Sequence, residues 1–198
     1  MDAKYISGSF VVTGSMIYGT TPNGGTSNMG TVFKMGIDGS NFVLLHNFAG
    51  SDEHRPNGDV VVSGGLLYAM ANAGGASGSG CGGSGCGTAF SIGLDGTGFT
   101  NLLNFMAGTA DGQYPVGNLL LLGDTLYGTS LTGGANNFGT IYNIKIVGSS
   151  FGLLHSFSNS SSDGQYPCST LTFVKDTFYG MSAGNNAASF GTLFKFVP

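Results

Sequence analysis

The chain has 198 residues, 41% of them hydrophobic and only 8% charged, with 37 glycines and a formal net charge of −4. Its six Lys and Arg are scattered, which excludes the clustered cations of a nucleic-acid binder, and no apolar run approaches the roughly 20 residues of a membrane span. Glycine far above its usual share of about 7%, set between short runs of Phe, Tyr, Leu and Val, indicates many short strands joined by tight turns rather than disorder.

In chain order, four strands are predicted first: A at 9–13, B at 16–20, C at 31–36 and D at 42–48. The A–B link is Gly14-Ser15 and the C–D link carries Asp38-Gly39, residues that accept the positive φ of two-residue hairpins. The pattern then returns. Ile17-Tyr18-Gly19 recurs as Leu67-Tyr68-Ala69, Leu126-Tyr127-Gly128 and Phe178-Tyr179-Gly180, with the tyrosines 50, 59 and 52 residues apart. Gly30-Thr31-Val32-Phe33 recurs at Gly87, Gly139 and Gly191, Leu45-His46-Asn47-Phe48 at Leu102 and Leu154, and the proline of Arg55-Pro56 at Tyr114-Pro115 and Tyr166-Pro167.

These repeats, bounded at about 2–50, 51–107, 108–159 and 160–198, define the fold class. A four-stranded antiparallel sheet cannot bury both faces alone, and placing copies around an axis does so. The expectation is an all-β, single-domain β-propeller of four blades. The chain ends after strand C of the fourth unit, so the last blade is expected to lack its outer strand. Three arrangements meet that condition: a compact four-bladed unit, which is the expectation, half of an eight-bladed ring of two chains, or part of a longer array. An unpaired edge invites a homo-oligomer.

The motifs Tyr18-Gly19-Thr20-Thr21, Gly30-Thr31-Val32-Phe33-Lys34, Asp38-Gly39, Leu45-His46-Asn47-Phe48 and Asp111-Gly112-Gln113-Tyr114-Pro115-Val116-Gly117 together resemble the GloVer-type tandem repeats of bacterial surface and secreted proteins. The strand order is also similar to that of YVTN-type propeller repeats. The resemblance implies an extracellular or cell-surface setting, strand A innermost and D outermost, and a proline segment crossing to the next blade. It implies no particular reaction.

Tyr5, Tyr114 and Tyr166 precede strand A in three units, and Arg55 takes that place in the second. In a propeller these four gather at the mouth of the central channel. There aromatic faces suit a sugar and the planar Arg donors suit a small anion; the alternative is that each Tyr packs on its proline. Asp111, Gln113, Asp163 and Gln165 flank the same segments. The strand B tyrosines, and Phe48, Phe105 and Phe157, recur in every unit that has the position and are assigned to the core. Leu103 stands where His46 and His155 do, so those histidines are assigned to packing, and Asp52-Glu53-His54-Arg55 to a solvated turn. Tyr68 to Gly87 spans 19 residues, against 12 in the other units. Cys81 and Cys86 lie in that insertion and are expected to form a disulfide worth about 2 kcal/mol, while Cys168 is expected to be a small buried residue. The Gly-Gly loops lead into strands without a following Lys-Ser or Lys-Thr, which excludes a phosphate cradle.

No catalytic constellation, metal site or cofactor motif emerges. The expected function is a non-enzymatic extracellular module binding a glycan or protein surface through one propeller face. The alternatives are a self-assembling structural subunit, or a propeller enzyme acting on polysaccharide.

Overall fold

The computed structural model describes residues 3–4, 9–49, 54–75, 81–106, 108–148, 150–158, 160, 163–184 and 191–198. The first sheet takes β2 (Val11–Thr13), β3 (Met16–Thr21), β5 (Thr31–Gly36) and β6 (Val43–Asn47) in that spatial order, while β1 (Ala3–Lys4) pairs with β4 (Asn23–Gly24). The second holds β7 (His54–Pro56) and β8 (Val61–Ser63), both against β9 (Leu66–Ala73), then β10 (Thr88–Gly93) and β11 (Thr100–Asn104). The third is β12 (Gly112–Leu122), β13 (Thr125–Gly133), β14 (Thr140–Lys145) and β15 (Phe151–Ser156). The fourth has three strands, β16 (Thr172–Val174), β17 (Thr177–Ser182) and β18 (Thr192–Phe196). The protein is thus an all-β propeller of four antiparallel blades, the last with three strands among the described residues.

Strand alternation distributes the core. In β9, Leu67, Ala69 and Ala71 pack against Tyr18, Val32 and Phe48 of the first sheet. Their neighbours Tyr68 and Met70 pack against Leu119, Leu126 and Tyr142 of the third. Successive side chains point to opposite faces, so each strand feeds two cores. A third cluster joins Ile141 and Phe157 to Leu171, Phe178 and Phe194 across the last junction.

The inner strands meet at a hub. Asp59 Oδ1 accepts the Ser9 N–H, Asp59 Oδ2 accepts Asn118 Nδ2–H (2.6 Å), and Asn118 Oδ1 accepts the Asp59 N–H (2.7 Å). One carboxylate thereby ties three consecutive sheets. A side chain at Gly58 would strike the Gly117 carbonyl, and one at Gly117 the Ser169 carbonyl, so the inner backbones run in contact.

The prolines belong to the strands, where the sequence reading has loops. Pro56 and Pro115 lie within β7 and β12, and Pro167 pairs with Ser182. Each proline ring lies against the glycine of the preceding sheet's Gly-Thr motif, at Gly30, Gly87 and Gly139, where an added Cβ would collide with it. Those glycines also have φ of 112°, 101° and 97°, which disfavours any other residue.

Among the described residues the three clusters join sheets one to two, two to three and three to four, and none joins the fourth to the first. Phe10 is 60% exposed, whereas its equivalents Val60, Leu119 and Leu171 are buried. On the opposite side Leu193 is 74% exposed, whereas Val32, Ala89 and Ile141 are fully buried. Tyr179 and Met181 are exposed for the same reason. Tyr179 therefore departs from the expected core role: no following sheet covers it. Cys168 is likewise exposed rather than buried. It donates its N–H to the Met181 carbonyl, across from a residue on the same uncovered face. The expected compact closure is not seen among the described residues.

A missing hydroxyl supplies a test. Thr21 and Thr31 share a buried hydroxyl pair (2.8 Å), as do Ser130 and Thr140 (2.7 Å). In the second sheet Ala71 faces Thr88, and the buried Thr88 Oγ1 lacks a partner. Ala71→Ser restores the pair, with an expected gain of about 1 kcal/mol and a rise in Tm of about 2–4 °C by calorimetry; an unchanged or lowered Tm refutes this account of the orphaned hydroxyl.

Candidate functional site

The segments chosen from the sequence share an unusual backbone. Arg55, Tyr114 and Tyr166 have φ of 60°, 54° and 53°, each immediately before a proline. Left-handed φ is uncommon for such residues, and a following proline disfavours helical ψ. Each is held by a donated N–H: Arg55 to the Met29 carbonyl (2.9 Å), Tyr114 to Cys86 (2.8 Å) and Tyr166 to Phe138 (2.7 Å). The acceptors are the residues just before Gly30, Gly87 and Gly139. One latch therefore recurs at three junctions: a left-handed residue bonds the preceding sheet, and its proline lies on that sheet's glycine.

Arg55 and Tyr114 line one cleft of about 390 Å³ between the second and third sheets, together with Asn72, Ser84, Val116 and Leu131. Cys81 and Cys86 are joined in a disulfide, Cα atoms 5.0 Å apart, and the short 3₁₀ turn Gly82–Ser84 between them forms a wall of this cleft. Tyr114 Oη donates to the Cys81 carbonyl (3.3 Å), which ties ring and loop together. The Arg55 side chain is exposed. Tyr166 is not in this cleft. Its ring meets Phe138 edge-on, centroids 5.9 Å apart, at the following junction. Tyr5 lies outside the described residues, as do Asp52, Glu53 and the His54 side chain. Of the three described residues expected to converge, Arg55 and Tyr114 share this cleft and Tyr166 does not. Among the described residues no group of three His, Cys, Asp or Glu is placed to hold a metal ion.

A second polar cluster escaped the sequence reading. Asp163 Oδ1 accepts from His155 Nε2 (2.6 Å), while Oδ2 accepts the Ser158 N–H (2.7 Å) and hydroxyl (2.8 Å). Asp111 holds the equivalent turn through the Met106 N–H (3.1 Å) and Gly112 N–H (2.6 Å), without a histidine. The signal was available: each Asp stands four residues before its proline, and His155 two before Phe157. The electrostatics of the two turns differ. Burial pushes the Asp111 carboxyl above the usual carboxylate range, against the pull of its two backbone N–H donors. Burial also acts on Asp163, but Ser158 and His155 outweigh it and hold that carboxyl below the ordinary value. Tyr142 Oη points at Met70 Sδ (2.7 Å), and burial raises its pKa.

Tandem four-stranded sheets with a shared inner hub define a repeat β-propeller. The chain belongs to the Gloeobacter/Verrucomicrobia repeat family, whose model matches residues 5–198. No curated protein sequence matches it. Among solved structures it is similar to a chain of a nidogen/laminin complex (TM-score 0.56, 14% identity), covering 86% of this chain and 53% of that one. It is also similar to the GH74 enzyme of Niastella koreensis (TM-score 0.51, 17% identity, 92% and 29% covered). A third likeness is to an endo-arabinase from Bacteroides thetaiotaomicron (TM-score 0.50, 16% identity, 96% and 74% covered). The chain thus spans about half of the nidogen/laminin chain and under a third of the GH74 enzyme. At these identities the likeness is one of fold.

The Asp163 cluster predicts a pH signature. A carboxyl depressed in the folded state adds stability above its unfolded pKa and loses it as pH falls through the folded value. Asp163→Asn should cost about 1 kcal/mol at pH 7, with the gap to the parent closing below about pH 4. Asp111→Asn should show the opposite trend, because the parent's carboxyl there is disfavoured when charged. Urea denaturation at pH 7, 4 and 3 measures both, and a gap for Asp163→Asn that does not narrow between pH 7 and pH 3 contradicts the assignment.

Proposed function

We propose that the chain is an extracellular, non-enzymatic propeller module that recognises a glycan or small anionic ligand in the cleft between its second and third sheets. The observation that carries this reading is the meeting of Arg55 and Tyr114 in one cleft walled by the disulfide loop. The guanidinium offers a planar donor fork, the Tyr114 ring an aromatic face, and Asn72 an adjustable donor and acceptor. A disulfide suits an oxidising compartment. Similar propellers occur in a nidogen/laminin complex and in an endo-arabinase, so association and catalysis both have precedent on this architecture. Binding is the reading the described lining favours: Arg55, Tyr114 and Asn72 suit recognition, and among the described residues no carboxylate lines the cleft, whereas glycoside hydrolysis typically uses a facing pair of acidic groups. Titration against a panel of neutral and acidic glycans tests it: Arg55→Lys keeps the charge but loses the fork, and should weaken binding about tenfold, or roughly 1.4 kcal/mol. Absence of binding to every member of the panel, or equal binding by the variant, removes the reading.

A second reading, a self-assembling subunit, is favoured by the two uncovered faces. The exposed Phe10 and half-buried Ile17 on the first sheet occupy the positions that Leu171 and Phe178 bury at the last junction, with the buried Phe33 beside them. Tyr179 and Leu193 on the fourth occupy those that Tyr68 and Ala89 bury at the second. Head-to-tail stacking of two chains repeats the internal junction. Light scattering should give a mass above one chain that Leu193→Asp returns to the monomer; a single-chain mass at the highest soluble concentration excludes it.

A further inference from the structure

We propose that β18 and the cavity beside it form an acceptor for one extended strand of the repeat's own outer-strand chemistry, an aromatic residue followed five positions later by Asn or Ser. The proposal is independent of the Arg55 cleft.

At the first junction the ring of Phe99, just ahead of outer strand β11, sits in a three-walled socket. His46 stacks on it at 4.2 Å and 5°, while Phe48 and Phe90 meet it at 6.0 and 5.3 Å. At the second junction Phe151, at the start of β15, packs in the same cluster as Leu103, Phe105 and Tyr142. The equivalent walls at the third junction are His155, Phe157 and Phe194, and they surround a cavity of about 290 Å³. Phe196 of β18 lines one side, its ring 5.9 Å from His155, but among the described residues no outer-strand aromatic occupies the place that Phe99 and Phe151 take at the other junctions.

The empty socket has the shape of the filled ones. Phe157 and Phe194 are 5.1 Å apart at 70°, against 5.4 Å and 67° for Phe48–Phe90, and 5.0 Å and 65° for Phe105–Tyr142. His155 is held by Asp163. Beside the socket β18 pairs, among the described residues, with β17 alone, so its other edge presents backbone donors and acceptors that no described strand takes up.

The register follows from the three complete sheets. Thr31, Thr88 and Thr140 face Asn47, Asn104 and Ser156, and Val32, Ala89 and Ile141 face His46, Leu103 and His155. A bulge follows at the same step in all three. An incoming strand therefore sets an Asn or Ser opposite Thr192 and a Leu or His opposite Leu193. Its aromatic residue, five positions before that Asn or Ser, then enters the cavity. Main-chain bonds supply affinity and the aromatic pocket supplies selection, the mode of strand addition to a sheet edge.

The probe is a synthetic peptide copying residues 96–105, with a Phe99→Ala version as control. In excess, the first should raise the Tm of the chain by about 3 °C or more and protect the amides of Thr192–Phe196 from hydrogen exchange. The control peptide should bind about tenfold more weakly. His155→Leu should retain binding, since Leu103 serves in a filled socket. Equal binding of the two peptides, protection elsewhere than β18, or no Tm shift overturns the proposal.

Discussion

Every sheet in this protein has two apolar faces, and no sheet can bury more than one of them against its own kind unless it stands between two neighbours. Leu67 and Tyr68 are adjacent in sequence, both buried, and belong to different cores. That alternation makes stability a property of junctions rather than of repeats, as in other quasi-one-dimensional arrays. It also makes position in the array matter. Phe33 and Phe90 are equivalent and both buried, yet Phe90 lies in a junction between two sheets while Phe33 stacks on Phe42 of its own sheet and lines an apolar hollow with Ile17 and Met35. The chemistry of a repeat therefore cannot be read without knowing what stands on either side of it.

Two devices align the junctions without using apolar area. The Asp59–Asn118 clasp fixes the inner strands of three sheets. The latch of left-handed residue and proline fixes where each inner strand begins. Holding Arg55, Tyr114 and Tyr166 at positive φ costs conformational energy, and such states persist where the surroundings over-determine them. Here a backbone hydrogen bond and a glycine-seated proline do so together. The latch also lifts the side chain at that position out of the strand's alternation. A position fixed by its backbone tolerates Arg as readily as Tyr, which is why it serves as a place where units differ.

The fold was legible because its determinants are local and repeated. The Tyr-Gly element, the Gly-Thr element and the two-residue hairpins each mark a strand boundary, and four copies remove the ambiguity of one. The reading went astray where a side chain's surroundings come from another sheet. Cys168 has the composition of a buried residue, but it faces the uncovered side of the last sheet. Tyr179 shares its motif with buried tyrosines and lacks only a neighbour. Tyr114 and Tyr166 look alike in sequence, yet the disulfide insertion builds a cleft at one junction only. The His155–Asp163 pair was overlooked because Leu at the equivalent site suggested packing alone. In fact the position does both: His46 stacks on Phe99, and His155 bonds an aspartate while its ring walls a cavity.

Among the described residues the fourth sheet is open in two physically different ways. Its uncovered face presents apolar side chains, so any association there scales with area and tolerates small shifts in register. Its uncovered edge presents backbone groups at a fixed spacing, which accept only an extended chain in one of two registers, and the aromatic socket selects between them. The socket keeps the dimensions of its filled counterparts because its walls are held from behind: Phe157 and Phe194 by the third core cluster and His155 by Asp163. A cavity maintained this way costs little to fill, since the ordering has already been done by the sheets that frame it. The fourth sheet thus keeps the aromatic wall geometry of an internal junction at an edge that no described strand occupies.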